Sequence, residues 1–563
     1  MILTIPTIDI FAGPGGLSEG FHRYSAFRGD HGVSFDIRLS IEKDVAAHRT
    51  LKLRAFVRQF PDGKIPPGYY DYVRAGSEKE RADNYEVLKN TPEWKRAEEE
   101  AWNATLGEEP PDAVRHRIRE RLGNTKNWVL LGGPPCQAYS LIGRARRLGG
   151  GSDVEEKARS ARETSFFNDE KHNLYREYLR IVAEHQPAVF VMENVKGILS
   201  SRMGAGSQER IFPKILRDLR KPGAALGNVN GDPRGKNYLI YSFVQKSNNL
   251  FSDDIPDDGY LIRSEEYGVP QTRHRVILFG IREDITSDPE LLSPDKQPTV
   301  RDIIGGLPPL RSARSGRNPE KGKTDLSPET PENWLAAIRR QVTDELLNEI
   351  RNLPSQGEND TKTMAEIAER MREISHRNTT DLTTGIGFKE FSLPRCKGNL
   401  FRILFKWIED KRLKGVLQHT ARGHMDSDLA RYLYVAIRGE MTGTSPKLND
   451  FPESLIPAHR NARRTEDRKK FGDRFRVQLY DRPATTITSH LRKDGHYFIH
   501  PDPSQCRSLS VREAARIQTF PDNYYFEGTR GDQYQQVGNA VPPFLALQLA
   551  EIIAGVFRNE AQD

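Results

Sequence analysis

Short apolar runs alternate with amphipathic stretches through the first half of the chain. Residues 5–11 form an apolar run ending in a glycine-rich turn, residues 17–27 read as the helix after it, and residues 35–41 as a second strand ending at Glu42. Residues 128–131 form a strand running into Gly132-Gly133-Pro134-Pro135. Residues 174–184 have helical periodicity, residues 188–192 form an apolar strand ending at Glu193-Asn194, and residues 275–281 form another strand. Strands separated by helices, with polar side chains just past the strand ends, predict a parallel α/β sheet. In such sheets the ligand crevice lies outside the carboxyl ends of the strands.

The alternation is interrupted. Residues 61–126 are charged and largely helical in pattern, which reads as a helical insertion, and residues 149–170 read as a Gly/Ser/Arg-rich loop. Beyond about residue 284 the pattern changes; residues 289–330 are dense in Pro, Gly, Ser and Arg, as at a boundary. A polar, mixed region follows. Residues 544–557 form a strongly apolar helix that must pack on something. The expected division is a catalytic body over residues 1–282, a recognition domain over 283–530, and a segment 531–563 returning to the first body.

Composition narrows this only slightly. Hydrophobic residues make up 36% and charged residues 29% of the 563 positions, ample for a core shared among about two or three domains. Lys and Arg number 85 against 78 Asp and Glu; the net +7 is mildly basic and says little about partners. Cys136, Cys396 and Cys506 are too few for a disulfide framework, so a reducing compartment is expected. The first residues read as a strand rather than a signal peptide, and no run reaches the ~18 apolar residues of a spanning helix. A soluble, cytoplasmic protein is the expectation.

Six motifs carry chemistry. Phe11-Ala12-Gly13-Pro14-Gly15-Gly16 ends the first strand, where glycines let the backbone turn and approach a ligand closely. Glu42 ends the next strand, where a carboxylate can accept hydrogen bonds from ribose hydroxyls; a plain turn explains these residues as well. Cys136 follows Pro134-Pro135, which stiffen the chain, and a thiolate is a strong nucleophile; a lone cysteine is also a common buried core residue. Glu193, at a strand end in a partly dry pocket, would have a raised pKa suited to proton donation, or would cap backbone amides. Gln271-Thr272-Arg273-His274-Arg275 puts Gln271, Arg273 and Arg275 on one face by alternation, either to hold a base or phosphate or to pair on the surface. Residues 507–521 contain a helix with Ser510 at its N-cap and Glu513 three residues on. Gln536-Val537-Gly538-Asn539-Ala540-Val541-Pro542 is a turn opening the terminal helix.

In this order, the six motifs resemble the cytosine-C5 DNA methyltransferase family of bacterial restriction-modification type. The resemblance spans roughly residues 1–60, 125–200, 260–285 and 480–563. It implies an α/β fold: a Rossmann-like S-adenosylmethionine-dependent methyltransferase domain with a smaller, mixed target-recognition domain. It assigns Cys136 as nucleophile, Glu193 as proton donor, and Arg275, supported by Arg273, as holder of the cytosine. The cofactor side would use Phe11, Gly13, Gly15, Gly16, Glu42, Pro134, Leu174, Asn539 and Val541. The family's acidic adenine contact after the third strand is here expected at Asn124, an amide. DNA contacts are expected at Gln137, Ser140, Arg144, Arg146, Arg147 and Gln271.

The implied reaction transfers methyl from S-adenosylmethionine to carbon 5 of a cytosine flipped out of duplex DNA, leaving S-adenosylhomocysteine and needing no metal. The implied setting is a monomer acting beside a restriction or phage-defence system. Basic stretches at 460–464 and 468–470 suit phosphate contact, or a solvated face. The His/Asp density over residues 419–428 invites a metal but lacks ligand spacing. Two rivals stand beside this reading. A tRNA methyltransferase of the same fold carries a Cys-Phe-Thr segment that is absent here. A silent DNA-binding regulator would lose Cys136 or Glu193.

Overall fold

The computed structural model describes residues 2–29, 32–61, 64–135, 171–202, 209–227, 235–247, 255–315, 317–318, 323–324, 328–354, 358–378, 380–385, 387–392, 401–458, 462 and 472–560. Its centre is an eight-stranded sheet. The strands, in chain order, are β1 (Leu3–Ile10), β2 (Val33–Glu42), β3 (Ala101–Asn103), β4 (Val129–Gly132), β5 (Val189–Val195), β6 (Tyr238–Ser242), β7 (Leu261–Arg263), the two-residue β8 (Gln271–Thr272), which lies outside this sheet, and β9 (His274–Arg282). The spatial order is β3-β2-β1-β4-β5-β9-β6, with β7 also on β9.

The first five neighbours are parallel, as expected. The exception is β9, antiparallel to β5, β6 and β7. Its direction has a functional consequence. A strand entering from the opposite end brings its first residues to the carboxyl edge of β5, so Val195 pairs with Arg275. Strand order reverses between β1 and β4, and the crevice at such a switch point is where parallel sheets bind ligands.

Alternation along the strands fills two cores, one on each face of the sheet. Ile5, Phe35, Ile37, Val129, Leu131, Val189 and Val191 face one core, while Ile8, Ile10, Leu130, Phe190 and Met192 face the other. β2 changes side partway along. Thr7 pairs with Ile37 but Ile8 pairs with Leu39, so Arg38 is an extra residue, and Leu39 and Ile41 join the second core. One inserted residue flips every later side chain to the opposite face. Ser40 and Glu42 therefore point toward the face that carries Asp9.

The apolar terminal helix, Pro543–Glu560, packs on the helix Gly16–His22 that follows the glycine-rich turn. The approach is close: a Cβ on Gly16 would collide with the Val541 carbonyl, and one on Gly20 would lie 2.5 Å from both Ala546 Cβ and Leu547 N. The Arg530–Arg558 stretch is long and apolar enough to cross a membrane, yet 83% of its apolar window is buried inside the protein. It is a core element.

Three expectations of the sequence change. The segment 61–126 is helical at Pro67–Arg74, Glu78–Lys89, Pro92–Glu100 and Pro111–Leu122, but it also carries β3, the edge strand of the main sheet. Residues 17–27 form not one helix but two, Gly16–His22 and Tyr24–Arg28, broken at Arg23. Residues 283–530 do not pack as one body. Helices Pro331–Gln341, Asp344–Arg351, Glu358–Ser375 and Asp426–Thr442 share a separate core, whereas Leu404, Trp407, Ile487, Leu509, Val511, Phe520 and Tyr524 belong to the core beneath the sheet. The return to the main body begins well before residue 531: Ala484, Ile487, Leu491, Leu509 and Val511 bury in the core beneath the sheet, while Ile499 and Cys506 still pack with the four helices.

Candidate active site

The glycine-rich turn leaves β1 with backbone angles that side chains resist. Gly13 and Gly15 have φ of +57° and +94°, and Phe11, a non-glycine, has φ of +55°. A bulky residue in the left-handed region stores strain that the surroundings must hold. Two groups hold it. The Gly13 amide donates to Glu42 Oε2 at 2.8 Å, and Tyr524 OH donates to the Pro14 carbonyl. Glu42 Oε1 accepts from the Asp44 amide at 2.8 Å. Burial raises the Glu42 pKa, with the two amide bonds working against the rise. Nothing lies within 4 Å of where a Gly13 Cβ would stand, so the turn presents open space at its crest.

Pro134 is buried, and its carbonyl accepts from Asn194 Nδ2 at 3.4 Å, which ties the Pro134-Pro135 turn to β5. Glu193 points back over the same turn. A Cβ on Gly133 would stand 2.9 Å from Glu193 Oε2, so a side chain there would displace the carboxylate from its present position. Arg275 Nε lies 2.9 Å from Glu193 Oε1, with the two side chains 14% and 15% exposed. Burial lowers the Arg275 pKa and the Glu193 charge opposes that shift. Carboxylate and guanidinium thus stand together at the carboxyl edge, beside Gly133. Cys136 itself, with Gln137, Ser140, Arg144, Arg146 and Arg147, lies outside the described residues, as do the basic residues 460–461 and 463–470.

The residues expected on the cofactor side are placed as follows. Phe11 is half-buried, Gly16 lies against the buried Val541, and Asn539 is exposed at the end of the helix Arg530–Asn539. Leu174 sits in the first turn of the helix Lys171–His185, whose start faces the carboxyl edge because it leads into β5.

Three assignments are corrected. Asn124 lies in the turn before β4, at the amino edge of the sheet, where nothing brings it to the cleft. The residue ending the third strand is Asn103, exposed beside Glu42, with its Nδ2 donating to the Glu42 carbonyl at 2.8 Å and the Lys43 carbonyl at 3.1 Å. The sequence hid it because β3 is three residues long and embedded in helical pattern. Gln271 is not at the DNA surface: it is fully buried, its Nε2 donating to the Ile517 carbonyl at 3.1 Å and to Gln518, its Oε1 accepting from the Ile487 amide at 3.1 Å. Arg273 is 1% exposed and donates to the carbonyls of Ile487 at 2.8 Å and Gly538 at 3.2 Å. It touches backbone, not substrate. Alternation failed here because β8 pairs with Ala484–Thr485 and the main-sheet strand starts only at His274.

The histidines of 419–428 are structural. His419 bonds Ser510 Oγ and the Pro308 carbonyl, both at 2.8 Å, and His424 bonds Ser508 and Tyr432. Among the described residues no group of His, Cys, Asp and Glu is arranged to hold a metal. Ser510 and Glu513 form the expected capping box, and Arg507 clamps both Glu513 oxygens at 2.6 Å.

Comparison with known proteins gives this edge a family. The profile of C-5 cytosine-specific DNA methylases matches residues 103–224 and 258–555. The type II methyltransferase M.Bpa9945I of Bacillus paralicheniformis is 30% identical across 98% of both chains. The type II methyltransferase M.AgeI of Thalassovita gelatinovora is 27% identical over 80% of this chain and 91% of its own. The DNA (cytosine-5-)-methyltransferase M.ApeKI of Aeropyrum pernix is 22% identical over 76% of this chain and 81% of its own. By profile, by relatives and by the order of its motifs, this chain belongs to the C-5 cytosine-specific DNA methylase family.

Proposed function

We propose that this enzyme methylates carbon 5 of a cytosine flipped out of a specific duplex DNA sequence, through a covalent bond to Cys136. The observation that carries the proposal is the Glu193–Arg275 pair, held over Gly133 beside the turn that delivers Cys136. Carbon 5 is a poor nucleophile. Cys136 Sγ adds to carbon 6, and Glu193 donates a hydrogen bond or proton at N3, so electron density moves to carbon 5. Arg275 holds the O2 oxygen, and the low-dielectric surroundings strengthen that contact. After methylation, loss of the carbon 5 proton to water re-forms the ring double bond and expels the Cys136 thiolate. Base flipping is required because the target carbon is hidden in the duplex.

The residues at the carboxyl edge fit S-adenosylmethionine, which when bound supplies an electrophilic methyl group. In this reading Glu42 would take the ribose hydroxyls, Phe11 and the exposed Val45 the adenine faces, and Asn103, in place of Asn124, the adenine edge. Asn539 and the open crest at Gly13 would take the amino-acid end. The relatives' names favour a type II restriction–modification setting, in which methylation protects one DNA sequence.

The test is a trap. Wild-type protein with duplex DNA containing 5-fluorocytosine should form a stable adduct at Cys136, seen by mass. Cys136→Ser should bind DNA, form no adduct and transfer no labelled methyl. A serine variant that methylates at the normal rate overturns the mechanism; transfer to tRNA in preference to duplex DNA overturns the substrate. Mapping 5-methylcytosine in DNA from expressing cells identifies the target sequence.

A further inference from the structure

The helix Arg530–Asn539 ends inside the protein, where the last carbonyls of any helix need donors from elsewhere. The Gln536 carbonyl takes the Ala540 amide at 3.2 Å. The next ones take side chains. Gln518 Nε2 donates to the Val537 carbonyl at 3.0 Å and to the Ala540 carbonyl at 2.6 Å, and Arg273 Nη1 donates to the Gly538 carbonyl at 3.2 Å. Asn539, between them, is exposed. The turn is seated closely: a Cβ on Gly538 would collide with the backbone of Thr488 and Ser489.

The donors belong to one buried network. Gln518 ends the helix Val511–Ile517 and is fully buried, as is Gln271. Gln518 Oε1 accepts from Gln271 Nε2, which also donates to the Ile517 carbonyl at 3.1 Å, and Gln271 Oε1 accepts from the Ile487 amide at 3.1 Å. Both side-chain amides therefore use their two N–H donors and the oxygen, which fixes the way each one points. A buried network satisfied this fully is rigid, and removing one member leaves the others unpaired. Its two ends lie at the candidate site. Gln271 opens the segment whose Arg275 stands 2.9 Å from Glu193. Beyond Ala540, the Val541 carbonyl lies against Gly16, at the start of the helix that follows the glycine-rich turn.

Resting on the reading of Asn539 as a cofactor contact, we propose that Gln518 is a positioning residue for methyl transfer, holding the turn that carries Asn539 in fixed relation to the strand that carries Arg275. Being fully buried, it acts through others rather than on the ligands. Its single amide grips the chain on both sides of Asn539 and is itself held by Gln271, in the same motif as Arg275. The two sides of the cleft are thereby built on one rigid piece, although Arg275 and Asn539 are far apart in sequence. Without the amide, the Val537 and Ala540 carbonyls lose their donor, the turn shifts to find others, and Asn539 leaves its place. Small displacements of a binding group cost large factors in rate as well as in affinity.

The experiment compares wild type with Gln518→Met, which keeps length and bulk but has no amide. It uses isothermal titration of S-adenosylmethionine into the full chain, steady-state kinetics on duplex DNA carrying the mapped target sequence, and urea unfolding. The expected result is S-adenosylmethionine affinity about tenfold weaker and kcat about tenfold lower per folded molecule, with KM for DNA within about twofold of wild type. A merely structural glutamine would lower the urea midpoint and leave affinity and kcat per folded molecule as they were; that outcome overturns the proposal. A cycle with Asn539→Ala locates the effect. Once the Asn539 side chain is gone, Gln518→Met should weaken binding by no more than about threefold further, and a full additional loss of about tenfold overturns the proposal. If Gln518→Met does not fold, Gln518→Asn takes its place, keeping an amide too short to reach both carbonyls; unchanged affinity there overturns the proposal as well. Wild-type protein that binds no S-adenosylmethionine, or an Asn539→Ala protein that binds it as tightly as wild type, overturns the cofactor reading of Asn539 instead.

Discussion

Arg273 and Arg275 are two residues apart in one motif, yet they have different tasks. Arg275 reaches the cleft and Glu193; Arg273 joins β9 to Ile487 and Gly538, the residue before Asn539. The same substitution should separate them. Arg275→Lys keeps the charge but loses the planar fork, and should lower kcat about 100-fold with the urea midpoint nearly unchanged. Arg273→Lys cannot span both carbonyls and should cost about 1–3 kcal/mol of stability, read by urea unfolding. Gly133→Ala gives a third outcome. Its methyl would stand 2.9 Å from Glu193 Oε2, so the carboxylate must move, and kcat should fall about 100-fold with folding intact. The cysteines divide likewise. Cys506 is 2% exposed, its thiol donates to the Pro503 carbonyl and burial pushes its pKa up, so it is inert to mild alkylation.

At the scale of elements, the helix Gly16–His22 is a hinge between function and packing. Its start forms the glycine-rich turn, and its body presses on Pro543–Glu560 with glycines where the backbones come closest. Gly20→Ala should therefore destabilise the protein by about 1–3 kcal/mol through overpacking, seen as a lower urea midpoint, while ligand affinity per folded molecule is kept. The insertion around β3 acts as a strap. Tyr70 donates to Asp410, Tyr72 to Glu527, and the Arg74 guanidinium reaches the carbonyls of Arg412 and Leu413. It binds the edge of the sheet to the segment that leads into the second body.

Across the whole molecule, four buried histidines recur: His424 and His496 meet Tyr432 in the four-helix core, His419 meets Ser510 and His500 meets Glu513. Burial lowers the pKa of each, that of His419 to about 4. The sign follows from linkage: the folded protein holds these rings neutral, the unfolded chain protonates them near 6.5, so their stabilisation is full above pH 6.5 and is lost as pH falls toward 4. The urea midpoint should drop across that window, and His419→Gln should make the drop shallower. Asp9 acts in the opposite sense. Its folded pKa is raised, so its contribution is full below the ordinary carboxylate range and is lost as pH rises through about 7.

The strand runs, the two glycine and proline turns, the capping box at Ser510 and the apolar terminal helix were legible in the sequence, because each is set by neighbours along the chain. Side-chain period, turn chemistry and capping act over a few residues. Glu193 and Glu42 could be singled out for the same reason: both sit just past an apolar run. What the sequence could not settle was decided by contacts between distant segments. The antiparallel entry of β9 sets Arg275 against Glu193, the extra residue in β2 sets Ser40 against Asp9, and the burial of Gln271 and Arg273 depends on a pairing with Ala484–Thr485. Asn103 became visible only when its three residues paired with β2. Local pattern singled out the candidate residues; long-range pairing and burial decided which of them face the cleft, because register and direction are properties of two strands and cannot be read from one.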